Sequence, residues 1–193
     1  MKAITTMFTL LCLYQVSAHA MLLKATAGEV KFTAIGKPGF LKIRGESVGK
    51  KPDGHIEFNN DSLTGEFTFD LKYLNTGIDL RDEHMKEKYL EVAKFPTAKL
   101  VIKAIPIKAE DLDKNIRKDF SGSLTLHGTT KEISGTADYN GSAKKINAQF
   151  KVELSDFGIA IPEHLGIKVS KTAEVEVSVV LAQSENLNTK NNK

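Results

Sequence analysis

Arg81, Asp82, Glu83 and His84 stand in a row, with Glu87 and Lys88 following closely. These residue types could serve three kinds of chemistry. His84 with Asp82 or Glu87 would make an acid–base pair, which also needs a nucleophile or second acid–base group within hydrogen-bond reach. Arg81, His84 and Lys88, three and four apart, would line one side of a helix and attract an anion. Glu83, His84 and Glu87 would offer metal ligands, but zinc proteases place two histidines four apart around a glutamate, and here there is one. His55, His127 and His164 fall on separate elements, so the ligand spacing is poor. A fourth reading needs no chemistry: the cluster fastens a helix to loop carbonyls and to a sheet, with contact to a ligand head group left open.

The pentapeptide Gly45–Glu46–Ser47–Val48–Gly49 matches the G-x-S-x-G of hydrolases in form. That motif works as a strained turn from a buried strand into a helix. Here it runs into the polar turn "KKPDGH", so the match is accidental.

The elements that hold these residues follow from periodicity. A helix is expected over about 79–92. Asp79 suits its N-cap, and Asp82 and Glu83 suit the positive end of its first turn. Met85, Tyr89 and Val92 form an apolar stripe, and Pro96 marks the far limit. Asp82 and Lys86 form an i, i+4 pair worth about 0.3 kcal/mol.

Elsewhere the chain alternates with the two-residue period of half-buried strands. "SLTGEFTFDLKYL" puts Leu63, Gly65, Phe67, Phe69, Leu71 and Tyr73 on one parity. "FSGSLTLHG" does the same for Phe120, Gly122, Leu124, Leu126 and Gly128. "INAQFKVEL" and "AEVEVSVVL" add Phe150 and Val152, then Val175, Val177 and Val179. One apolar face per strand argues against a parallel sheet. Turns at Asp53-Gly54, "HGTTKE" and Asn140-Gly141 join the runs as hairpins. The fold class is all-β: about eight antiparallel strands in up-and-down order, closing into a barrel to protect their edges, with one helix beside it.

Residues 1–20 combine Lys2, an apolar run from Met7 to Tyr14 and Ala18-His19-Ala20, the form of a secretory signal peptide. The apolar run is far short of the ~20 residues that span a bilayer, and no later segment comes close. Cys12, the one cysteine, lies inside that leader, which excludes thiol chemistry from the mature chain. Of 27 Lys and Arg against 24 Asp and Glu, Lys2 leaves with the leader, so the mature charge is nearly balanced. No basic face with interleaved aromatics marks a nucleic-acid partner. The domain is expected over 21–184, with a polar tail at 185–193.

Gly65, Gly122, Gly128 and Gly135 share the apolar parity. They mark either curvature and close approach or missing volume in an internal channel. An eight-stranded barrel is wide enough to be filled by its own side chains or to hold one small ligand.

"GEVKFTAI", "LNTGIDLRDEHMKEKYLEVAKFPTAKLVI", "GSLTLHGTTKEI" and "LSDFGI", in that order, resemble the YceI-type family of bacterial polyisoprenoid-binding proteins over about residues 24–182. The matching positions are Thr76, Gly77, Arg81, Asp82, His84, Phe95, Pro96, Gly128, Thr130, Lys131, Asp156, Phe157 and Gly158. The resemblance implies a lipocalin-like, extended barrel, secreted or periplasmic, often a homodimer, holding a long isoprenoid chain without enzymatic activity or cofactor. The candidate lining is then Phe32, Phe67, Phe69, Leu71, Leu124, Leu126, Phe150, Val152, Phe157 and Val177, with Arg81 and His84 at a head group. This chain departs from the commoner pattern in a short glycine-rich first hairpin and in Pro162 close behind "DFGI". Two other functions stay open: an enzyme acting on a lipid through His84, and a filled barrel that acts by partner contacts.

Overall fold

The structure, a computed structural model, describes residues 21–37, 41–59, 61–164 and 166–183. The expected leader at 1–20 and the tail at 185–193 lie outside them. Alternation becomes strands throughout: β1 (Met21–Lys37), β2 (Leu41–Ser47), β3 (Asp53–Asn59), β4 (Ser62–Asp70) and the short β5 (Leu74–Asn75). They are followed by β6 (Thr97–Pro106), β7 (Asn115–Leu126), β8 (Thr129–Asn140), β9 (Lys145–Glu153), β10 (Glu163–His164) and β11 (Ile167–Gln183).

All pairings are antiparallel. β3, β4, β6, β7, β8, β9 and β11 lie side by side, and β11 returns to β1 from Leu23↔Gln183 to Lys37↔Lys168. β1 completes an eight-stranded barrel because its first residues pair with β3 and its last with β2. Register shifts opposite Leu63/Gly65 and at Ile102/Ala104 bend β6, the usual way a wall is curved. The apolar parities face inward, and Phe120, Leu124, Leu126, Ile146, Phe150 and Val152 are all buried.

β4 ends at Asp70 instead of continuing to Leu74. Asp70 Oδ1 accepts from the Lys72 N–H at 3.4 Å, and a 3₁₀ turn over Leu71–Tyr73 begins there. The helix also differs from expectation. α1 (Asp79–His84) is followed by a π-helical turn over Met85–Tyr89, so the helical segment stops short of Val92. Ile78, not Asp79, holds the N-cap, because the Asn75–Gly77 turn brings the chain in one residue earlier. There the Asp82 N–H donates to the Ile78 carbonyl at 2.9 Å. Among the described residues no helix is long and apolar enough to cross a membrane.

Candidate ligand-binding cavity

The barrel is filled at one end and open at the other. Ile56, Leu63, Ile105 and Val179 pack the far half almost without exposure. The half nearest α1 holds a cavity of about 480 Å³. Its walls are Val30, Phe32 and Ala34 from β1, Phe67 and Phe69 from β4, Leu124 and Leu126 from β7, Phe150 and Val152 from β9, and Ala173, Val175 and Val177 from β11. The floor lies where Phe150 meets Phe120 edge to face, with ring centroids 6.2 Å apart and planes at 87°.

Glycines position the rings. Gly135 sits across from both Phe120 and Phe150, and a Cβ there would stand 2.8 Å from the Phe120 ring and 2.9 Å from Phe150 Cβ. Phe32 lies over its cross-strand partner Gly45, and Phe67 over Gly54, in the same way. The inward glycine at 135 therefore gives its volume to the Phe120 ring and the Phe150 Cβ and leaves no channel of its own. Gly65 and Gly122 are approached by backbone carbonyls of neighbouring strands, and none of these glycines lines the cavity.

The rim is built around Thr76. Its N–H and hydroxyl donate to Asp82 Oδ1 at 2.8 and 2.6 Å. Arg81 donates from Nε to the Thr76 hydroxyl at 2.8 Å and from Nη2 to the Thr76 carbonyl at 2.7 Å. Asp82 is thus buried and turned toward the loop, not paired with Lys86 as its spacing predicts; satisfying two donors beats a solvent-screened ion pair. Arg81 and His84 border the cavity while this fastening holds. Lys88 does not extend their line. The π turn inserts a residue into the helical period, so Leu80, Arg81, His84, Met85, Tyr89 and Leu90 border the cavity and Lys88 is carried outside. Its ammonium lies over the Tyr89 ring, 5.4 Å from the centroid.

Of the candidate lining, Phe32, Phe67, Phe69, Leu71, Leu124, Leu126, Phe150, Val152 and Val177 surround this space together with Arg81 and His84. Phe157 does not. It is buried at the end of a 3₁₀ turn (Leu154–Phe157), and its ring contributes to packing behind the wall. Sequence reasoning missed Ala98, Leu100, Ile159 and Pro162; Ile159 closes "DFGI" and Pro162 belongs to the segment that follows it at the mouth. Ser47 of the hydrolase-like pentapeptide is in β2, where its Oγ accepts from the Val30 N–H at 3.0 Å.

A second cluster clamps the connections around the open end. His127 Nδ1 contacts the Phe157 carbonyl at 3.1 Å, and Nε2 contacts Glu91 Oε2 at 2.8 Å. Both partners are oxygens, so with Glu91 ionised the two bonds coexist only when both ring nitrogens carry protons. The Phe95 ring lies 4.4 Å from the imidazole and fills the place a Cβ would take at Gly128, whose φ is +73°. Hydrogen bonds from Lys94 and His127 hold the Glu91 carboxyl below its ordinary value.

The YceI-like domain family matches residues 22–181. The chain belongs to that family. Among curated YceI-related proteins, a UPF0312 protein of Pseudomonas putida (strain W619) is 34% identical over 179 residues, covering 81% of this chain and 87% of that protein. The match to a UPF0312 protein of Pseudomonas fluorescens (strain SBW25), 35% identical over 108 residues, spans about half of each: 51% of this chain and 52% of the relative. Among solved structures, a polyisoprenoid binding domain from Saccharophagus degradans, implicated in plant cell wall breakdown, superposes with a TM-score of 0.62. It is 18% identical and covers 86% of this chain and 100% of that one. Burkholderia cenocepacia BcnA gives a TM-score of 0.59 at 19% identity, covering 79% and 96%. These likenesses establish the YceI-like barrel. Phe95 of "FP", His127-Gly128 of "LTLHG" and Phe157 of "DFG" are the residues that meet in the second cluster, so these YceI-like motif segments converge on the clamp.

Proposed function

We propose that the chain is an exported carrier or sequestering protein that seats a long isoprenoid chain, of quinone or polyprenyl type, in its barrel. The observation that carries this reading is the apolar cavity of about 480 Å³ that opens beside α1. It falls within the range of about 300–1,000 Å³ typical of small-molecule sites. The shared fold with a polyisoprenoid binding domain supports the ligand class, and the leader-like residues 1–20 support a periplasmic or secreted location.

Magnitudes limit how the chain sits. An open half-strand of about five residues spans roughly 17 Å, so a long prenyl tail folds back or leaves part of itself at the mouth. About ten buried methylene equivalents give ~8 kcal/mol gross at ~0.8 kcal/mol each. Association costs of about 4–15 kcal/mol offset much of that, so the head group's contacts matter to retention. Arg81 and His84, which border a cavity lined mostly by apolar side chains, are the groups that would receive it. Mass spectrometry of organic extracts from the purified protein is the test. A prenyl lipid recovered in stoichiometric amount is the expected result; an extract without prenyl lipid, from protein expressed in its own host, overturns the reading.

A further inference from the structure

Among the described residues, four large hydrophobic side chains stand well exposed: Leu41 at 49%, Val48 at 53%, Ile78 at 53% and Leu80 at 55%. Three of the four are at the open end of the barrel. Leu41, Ile78 and Leu80 border the cavity itself. Val48 stands at the other end of β2 from Leu41, its N–H donating to the Tyr73 carbonyl at 2.9 Å. Apolar side chains exposed together at the mouth of a cavity mark an interaction site.

Cations frame this patch on one side. Lys37 and Lys168 are register partners on β1 and β11, Lys42 follows Leu41 on β2, and Lys50 lies two residues beyond Val48. All four are exposed and, among the described residues, none is held in an ion pair. Acidic residues share the rim: Asp79 and Glu83 on α1, and Glu163 on β10, the register partner of Lys168.

We propose that this rim is a docking surface for an anionic lipid bilayer. Its apolar side chains enter the head-group boundary, its lysines meet lipid phosphates, and the cavity mouth faces the membrane. Apolar burial and electrostatic attraction to anionic lipid act together in such interfacial binding. A second copy of the chain is the other occupant such a patch could take, and the sedimentation measurement below distinguishes it. The inference does not depend on what the cavity holds, since docking is measured with vesicles that contain no prenyl lipid.

The test is cosedimentation of the full chain with phosphatidylcholine vesicles, with and without phosphatidylglycerol. Binding is expected on the phosphatidylglycerol vesicles only. Leu80→Asp should lower the partition coefficient by about tenfold, and Ile78→Asp repeats the measurement at a second site in case the first variant misfolds by circular dichroism. Lys42→Glu with Lys50→Glu should give a similar loss of about tenfold or more. Lys118→Glu, exposed on β7 toward the filled end, should leave binding unchanged. Absence of binding to phosphatidylglycerol vesicles overturns the proposal. So does equal weakening by Lys118→Glu, which would mean undirected charge attraction. Rim variants that only dissociate a dimer in sedimentation velocity, with vesicle binding intact, overturn it in favour of self-association.

Discussion

Thr76 joins Arg81 to Asp82 through one hydroxyl, which accepts from the guanidinium and donates to the carboxylate. Thr76→Val keeps the shape and removes both bonds, leaving a buried carboxylate short of a donor. The expected loss is about 1–3 kcal/mol in denaturant unfolding, with Thr76→Ser close to wild type. Glu91 belongs to the same scale. Its carboxyl is held below the ordinary 4.5, first by Lys94 and then by His127. A carboxyl with a depressed folded value contributes stability that is fully present above the unfolded value and lost as pH falls through the folded one. Thermal midpoints measured from pH 6 downward, a range of about three units chosen to cross that window, should fall less steeply for Glu91→Gln than for wild type. The fastening role of Arg81 and Asp82 is legible from charges beside a turn. Their partner Thr76 is not, because a contact five or six residues back across a loop has no period. The role of His127 is illegible for a similar reason: a lone histidine before a turn glycine gives no sign of which two carbonyl or carboxylate oxygens its ring will find.

Strands are the most readable elements here, since one wet and one dry face force a two-residue alternation that survives in the sequence. The helix is only half readable. Its apolar stripe at Met85 and Tyr89 is visible, but a π turn shifts the period by one residue and leaves too few turns to notice. The consequence is that Leu90 reaches the cavity and Lys88 does not. Glycines in strands are ambiguous for another reason, because curvature, close approach and open volume all leave the same letter. Coordinates separate them at Gly135, where the Phe120 ring, the Phe150 Cβ and the Gln149 carbonyl occupy the space a side chain would need. Gly135→Ala should therefore cost about 1–3 kcal/mol by overpacking, read from urea midpoints at unchanged slope. Its Cβ would also press the Gln149 carbonyl of β9, so relief through a ring rotation alone is not expected.

At the level of the molecule, the barrel joins a solid half to a hollow one. Parity marks what faces inward at every level of the wall, and it is equally apolar in both halves. It cannot tell filling from void, which depends on how rings from adjacent strands interleave across the middle. Ala173 lies in the hollow half, between Ala34 on β1 and Val152 on β9. Ala173→Phe directs a ring into the space and should displace about five methylene equivalents of ligand. That weakens retention by about 4 kcal/mol, roughly a thousandfold in Kd, measured as lipid recovered per protein after dilution. The solid half, untouched, keeps the variant folded.

An interior that is dense at one pole and vacant at the other also yields unevenly to hydrostatic pressure, because compression acts where matter is missing. The soft pole is the one bearing α1, and an oily guest seated there would act as a strut. Squeezing the empty molecule should thus loosen its doorway well before its base.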